Sequence, residues 1–515
     1  MATTEEPTIE LKVFVDKEKS RVLFAESGKE FVDVLFGFLT LPLGTIVRLL
    51  GKESQAGCLD ELYKSVERLP TGFFRTEACK TMLLRPINGA AKQCCQLKVR
   101  VDDTEHREVY VCRGICCCAR ADCACSSVPG AVCRCGKSMT RVGGDRPEYD
   151  STSSTAGAGS VDGVFVKGDI KFIVTDDLKV ATASTSLMLS LLDKFEVQDP
   201  SSLEQKTIQL SSDKIISLLK RSLTSNGPLT GHYFDVDMAH DDSGIDMLHE
   251  NLHHEQDNGG EHTLINLNIS VLQTKDNSSV LYAEVGGDFV DLLFGLLSIP
   301  LGSILKRYGK CGSKGCVDNL YSSIGGSVKG FLGPECQSFL QSPKLAPFFG
   351  CGSSKILQVE ELSPYKEEIG TCFTCFKTYG FSNLTYCQGK YWNINSTHYY
   401  PNCTEPVKTT SLCEVDPKSP KEECENGEAY VKHGHQKFIV TDDLHVLPLS
   451  LASTIQVISE AKIQKRDLVE KELALTKPHV MEIFKAALVT RKALSTVLLP
   501  PMNMKKLYHH SFGLY

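Results

Sequence analysis

Apolar and polar positions alternate with period two along LKVFVDKEKSRVLFAE, on both sides of a polar turn, which predicts a β-hairpin near the start of the chain. The stretch INLNISVLQTKDNSSVLYAE repeats that alternation in the second half. Behind the first hairpin, Ser27-x-x-Glu30 has the spacing of a capping box ahead of an apolar run, so a helix is expected to start near Lys29. Pro42 and Gly44 break it, as Pro300 and Gly302 do later, and a second short helix follows as TIVRLL or SILKRY. VFVKGDIKFIVTDDL and AYVKHGHQKFIVTDDL predict another hairpin with its turn at Gly168-Asp169 or its counterpart. Helices are expected at SSDKIISLLKRSLTS, behind a Ser cap, and at TKPHVMEIFKAALVTRKAL, with Pro478 in its first turn.

These parallels make an internal repeat. FVDVLFGFLTLPLG at 31–44 matches FVDLLFGLLSIPLG at 289–302 at ten of fourteen positions. Cys58 and Tyr63 in GCLDELYKS lie opposite Cys316 and Tyr321 in GCVDNLYSS, and Cys79 lies opposite Cys336. KFIVTDDL at 171–178 recurs unchanged at 437–444. The expected fold is therefore α+β: two tandem homologous domains, each with β-hairpins, packed helices and a Cys-rich knuckle.

The first domain is placed at 1–225, with a Cys-rich segment at 112–135 and a flexible insert at 139–162. The second is placed at 264–505, with a Cys segment at 372–403, a flexible insert at 404–428 and a tail at 506–515. Between them, 226–263 reads as an acidic, His-rich linker carrying His232, His240, His249, His253, His254 and His262 without a fixed helical spacing.

Residues 31–47 hold one charge, Asp33, and are otherwise mostly apolar. Pro42 and Gly44 interrupt the run and polar segments flank it, so a buried core element is expected and not a membrane span. Asp33 and Asp291 are then expected to face the helix dipole, and Tyr63 and Tyr321 to be core tyrosines with bonded hydroxyls.

Composition narrows the partners. A net charge of −7 gives no basic field for nucleic acid. The first residues, MATTEEPTIE, lack the basic and apolar regions of a secretory signal, which points to a cytoplasmic setting with the nucleus left open. The sequons at Asn383, Asn395 and Asn402 are accordingly read as chance.

Cysteine is the anomaly: eight of the 22 lie between Cys112 and Cys135. In a reducing compartment such a cluster points to metal rather than disulfides. A structural zinc site is expected on Cys112, Cys116, Cys133 and Cys135, with Gly136 turning the backbone; Cys117, Cys118, Cys123 and Cys125 are alternative ligands. A weaker second site would use Cys372, Cys375, Cys387 and Cys403, with His398 as a further candidate. Cys58, Cys79, Cys316 and Cys336 sit singly inside expected helices and read as packed thiols.

The segments LKVFVDKEKSRVLFAESGKEFVDVLFGFLTLPLGTIVRLLG, GCLDELYKSVE, CRCGKSM and FIVTDDLKV together resemble a plant family, domain of unknown function 674, over most of both copies. The resemblance implies a tandem-repeat plant intracellular protein, and it brings no reaction, substrate or catalytic residues. Copy two lacks the Cys-x-Cys-Gly of that pattern.

No Gly-x-Ser-x-Gly, His-Glu-x-x-His, Walker or dinucleotide loop is present, and the copies share no Cys-His-acid set. The leading expectation is a non-enzymatic interaction or scaffold protein with an unidentified protein partner. The alternatives are a divalent-metal enzyme using Asp176/Asp177 and Asp442/Asp443, and a redox or metal-handling role for the Cys cluster. Thr-Asp-Asp is read first as a turn, since Asp and Thr side chains bond nearby backbone amides there.

Overall fold

The computed structural model describes residues 6–102, 110–111, 122–133, 135–139, 141–142, 163–235, 267–309, 315–364, 366–371, 392–393, 408–418, 429–432 and 434–500. The fold is α+β, built on two matching antiparallel sheets. In copy one the order is β7(Val180–Thr182)-β6(Phe172–Thr175)-β2(Arg21–Ser27)-β1(Ile9–Asp16)-β8(Leu203–Leu210). Copy two repeats it as β15(Val446–Pro448)-β14(Lys437–Thr441)-β10(Val280–Gly286)-β9(Leu267–Thr274)-β16(Leu468–Leu475). The hairpins β1–β2 and β9–β10 are those the period-two pattern predicts, with β1 alternating buried and outward positions.

A third sheet draws on both copies: β12(Trp392–Asn393)-β11(Lys366–Thr371)-β13(Lys408–Glu414)-β4(Asp122–Ser126)-β3(Tyr110–Val111)-β5(Arg141–Val142). Its β13–β4 pair is parallel and ties the Cys-rich segment of copy one to residues 408–414, which form a paired strand within the stretch expected as a flexible insert. The Glu414 carboxylate adds an ion-dipole clamp at that join, accepting from the Ser127 amide at 3.1 Å.

The apolar run 31–47 is buried throughout, as expected of core. It forms the helix Lys29–Gly37, a 3-10 turn Phe38–Thr40 and the helix Leu43–Leu49. Among the described residues no helix is long and apolar enough to cross a membrane. The break at Pro42 has a second role. Pro42 and Pro300 face each other in an isolated β-bridge, where Leu43 N–H donates to Ile299 O and Leu301 N–H to Leu41 O, both at 2.9 Å. A Cβ on Gly44 would lie 3.0 Å from Leu297 O, and one on Gly302 2.9 Å from Leu39 O, so glycine lets the two breaks touch. The copies are thus related about this point by a pseudo-twofold axis, and residues of both contribute to one continuous apolar core.

Three local expectations are corrected. The helix does start at Lys29, but Gly28 is its N-cap and no side chain caps it; β2 runs through Ser27, which leaves the Ser27 hydroxyl buried without a partner. Ser211 likewise occupies the N-cap of Ser212–Thr224 without a side-chain bond. The hairpin expected at Gly168-Asp169 does not close, because β6 pairs with β2 and β7 instead. Its first arm is claimed elsewhere: Val166 bridges Leu332 of copy two, and Lys167 N–H donates to Phe331 O at 2.8 Å.

Asp33 explains the rest of that rearrangement. It was expected at a helix N-terminus; its carboxylate instead accepts the amides of Val164, Phe165 and Val166 at 2.7, 2.9 and 2.9 Å. Asp291 does the same for Tyr430 and Val431 at 2.6 and 3.0 Å. Tyr63 is a bonded core tyrosine, donating to Leu84 O; Tyr321 donates to Gln341 O but is only partly buried at the edge of the core.

Candidate functional site

The repeated landmarks GC-x-D and TDD, far apart in sequence, meet at two joints where the copies lock together. Each joint begins with a helix that starts without a side-chain cap. Leu59–Arg68 follows Cys58, and Val317–Gly325 follows Cys316. The first amides of any helix need acceptors and the last carbonyls need donors. Here each copy supplies what the other lacks. Cys58 N–H donates to Ala487 O at 2.7 Å, in the last turn of Lys477–Val489, and Cys316 N–H donates to Ser222 O at 2.9 Å, in the last turn of Ser212–Thr224. Positive helix starts thereby face negative helix ends across the seam.

The same helices then hold the edge of the opposite sheet. Val446 N–H donates to Ser65 Oγ at 2.9 Å, and Val180 N–H to Ser323 Oγ at 3.0 Å. Phe74 bridges Val431, and Leu332 bridges Val166. Every one of these contacts occurs twice with the copies exchanged.

KFIVTDDL forms strand β6 or β14 and the tight turn behind it. Leu178 and Leu444, at φ +58° and +62°, close that turn. The first Asp is a three-way staple. Thr230 donates to Asp176 through its amide at 2.8 Å and its hydroxyl at 2.6 Å, while Val22 N–H donates to that hydroxyl at 2.8 Å. In copy two, Ser495 donates to Asp442 at 2.7 and 2.6 Å, and Val280 N–H to Ser495 Oγ at 2.8 Å. Burial raises both Asp176 and Asp442 above the ordinary carboxylate range against the pull of those bonds. The second Asp accepts from Thr175 or Thr441 within the turn. Asp177 also pairs with Lys179 at 3.2 Å. Both carboxylates of each pair are therefore engaged by protein donors.

The thiols at the joints are unsuited to nucleophilic attack. Cys58 donates to Thr490 O at 3.0 Å, and burial, with Asp443 second, pushes its pKa well above the usual thiol range. Burial and Asp177 do the same to Cys316. A thiol held protonated is a poor nucleophile.

His445 breaks the symmetry, standing where copy one has Lys179. Its Nδ1 is 3.1 Å from Ser65 Oγ and 3.8 Å from Glu61 Oε2. Burial lowers its pKa below the ordinary value, opposed by Asp443. A lowered folded pKa means that the stability contributed by His445 is present above about pH 6.5 and is lost as pH falls below it. Asp176 and Asp442, raised in the fold, act with the opposite sign at lower pH. Replacing His445→Gln is accordingly expected to flatten the fall of melting temperature below about pH 6.5. An unchanged pH slope in the variant would contradict this.

Of the expected zinc ligands, Cys112, Cys116, Cys372, Cys375, Cys387 and Cys403 lie outside the described residues, as does His398. Cys133 is buried in the core and Cys135 partly buried against it. Directly after Cys135, Gly136, at φ +81°, donates its N–H to Cys133 O, so the amide serves the turn. Among the described residues no three His, Cys, Asp or Glu side chains gather to hold a metal ion. His232 sits in the helix Pro228–Phe234; the other linker histidines lie outside the described residues.

Surface apolar residues went unread in the sequence. The helix Thr185–Lys194 packs Leu191 on Phe24 and Ile173 while leaving Met188 and Leu189 40% and 56% exposed. Its counterpart Leu451–Ala461 leaves Leu451 and Ile455 84% and 66% exposed. Leu189 and Ile455 occupy equivalent positions, counted from KFIVTDDL.

No curated protein and no solved structure matches the chain. Residues 5–478 match one family along most of the chain, and residues 366–512 give a second, overlapping match, in keeping with the repeat. The chain belongs to the family described as Protein of unknown function (DUF674).

Proposed function

We propose that the protein is a non-enzymatic intracellular interaction or scaffold protein of plants, whose partner is another protein. The plant and intracellular setting follows the family resemblance. The observation that carries the reading is the matched exposure of Leu189 and Ile455 on equivalent surface helices. Isolated exposed apolar residues are ordinary, but the same helix exposing them in both copies gives the chain two similar adhesive faces. The bonding of the repeated carboxylates and thiols supports the same reading, since it leaves them to the fold.

The test compares proteins captured from native tissue by the parent and by a Leu189→Ser/Ile455→Ser variant. Both positions are exposed, so the variant is expected to keep its stability within about 0.5 kcal/mol. It should lose the partners that the parent retains. Capture of the same set by both would overturn the assignment.

A further inference from the structure

The seam has the geometry of a homodimer interface folded into one chain. In a twofold interface, residue i of one partner meets residue j of the other, and j meets i. That holds here: Cys58 on Ala487 with Cys316 on Ser222, Val446 on Ser65 with Val180 on Ser323, and Phe74 on Val431 with Leu332 on Val166. At the axis Pro42 meets its own counterpart, Pro300. Each repeat therefore carries both the donors and the acceptors, and nothing in these contacts distinguishes a neighbour on the same chain from one on another.

We propose that the seam also accepts the repeat of a second copy of this chain, so that two chains can exchange repeats and form a closed pair. Residues 236–266 connect the two halves, a length whose contour reaches about 100 Å and leaves room for either partner. A tether of this kind gives the intrachain partner an effective concentration in the millimolar range, so chains folding far apart close on themselves. Chains folding close together can close on each other. Once formed, the seam is buried in the common core, so exchange between folded molecules is slow.

The test uses full-length chains with a protease site placed within 236–266, one tagged at its N-terminus and one at its C-terminus. They are unfolded and refolded together at high concentration, or refolded apart and then mixed. Co-refolding should raise capture of one tag by the other roughly tenfold over mixing, in a species of twice the chain mass. Cutting the linker then decides the route. In exchanged pairs, the N-tagged first repeat stays bound to the C-tagged second repeat, and the complex falls to the mass of one chain. Absence of cross-capture, or its loss on cutting, overturns the proposal; the latter would mean that the chains met through another surface, such as the apolar helices.

Discussion

Replacing Asp33 with alanine is expected to destabilise the protein by roughly 3–5 kcal/mol, because it orphans three amides at once, two buried and one partly buried. Val164, Phe165 and Val166 all donate to this one carboxylate, and Asp33 is 3% exposed. Each unsatisfied buried donor costs about 1–3 kcal/mol, and bonds to a charged acceptor stand at the upper end. Part of that loss is offset, since burial raises the Asp33 pKa and the ionised group is itself expensive to bury. The offset is smaller than three orphaned amides. Asp33→Asn should fall between parent and alanine, because the amide keeps one acceptor oxygen and brings donors that have nothing to serve. Urea unfolding midpoints of the three proteins give the order. A loss below about 1 kcal/mol for alanine would show that the 163–167 segment finds other partners and is not held by Asp33.

The second large effect is expected at Gly57. Its φ is +53°, and a Cβ there would lie 2.3 Å from Ala487 O and 2.7 Å from the Leu488 carbonyl carbon. Left-handed backbone alone costs a non-glycine residue about 1–2 kcal/mol. The clash adds to this, since both obstacles are backbone at the end of a packed helix and cannot rotate away. Relief requires parting the seam, which lengthens the bond from Cys58 N–H to Ala487 O. Gly51 separates the two terms: it has φ +65° and nothing within 4 Å of its Cβ position. Gly51→Ala should cost about 1 kcal/mol and Gly57→Ala about 3 kcal/mol or more, measured as the difference in unfolding free energy. Equal costs would mean that the seam yields readily at this joint.

Much of the architecture was legible because it rests on local pattern. Period-two alternation marks β1–β2 and β9–β10, and Pro42 and Pro300 mark the break in the apolar run, as the N-caps of the second helices; the first helices already end at Gly37 and Gly295. The repeat in KFIVTDDL revealed two copies of one unit, and its carboxylates read correctly as turn residues. What they grip was not legible: Thr230 lies 54 residues from Asp176. The seam was hidden for the same reason, as its bonds link residues such as Cys58 and Ala487 that share no local signal. Strands β8 and β16 escaped notice because three successive polar residues, Gln205 to Thr207 and Glu470 to Glu472, are exposed at the centre of each, as edge strands allow, and this erases the period-two pattern. The failed capping box at Ser27 has the right spacing in the wrong backbone, since the residue is still in a strand. The apolar helices 185–194 and 451–461 are short and flanked by polar residues, so their spacing does not show which side faces solvent.

The central claim is that the two repeats are one interlocked fold whose repeated landmarks join the copies. The most direct measurement is to cut full-length protein at a protease site placed within 236–266 and then follow the halves by gel filtration and calorimetry. The account predicts that they remain a one-to-one complex at the mass of the parent and melt in a single transition. Halves that separate after cutting, or that melt independently in two transitions, would contradict it.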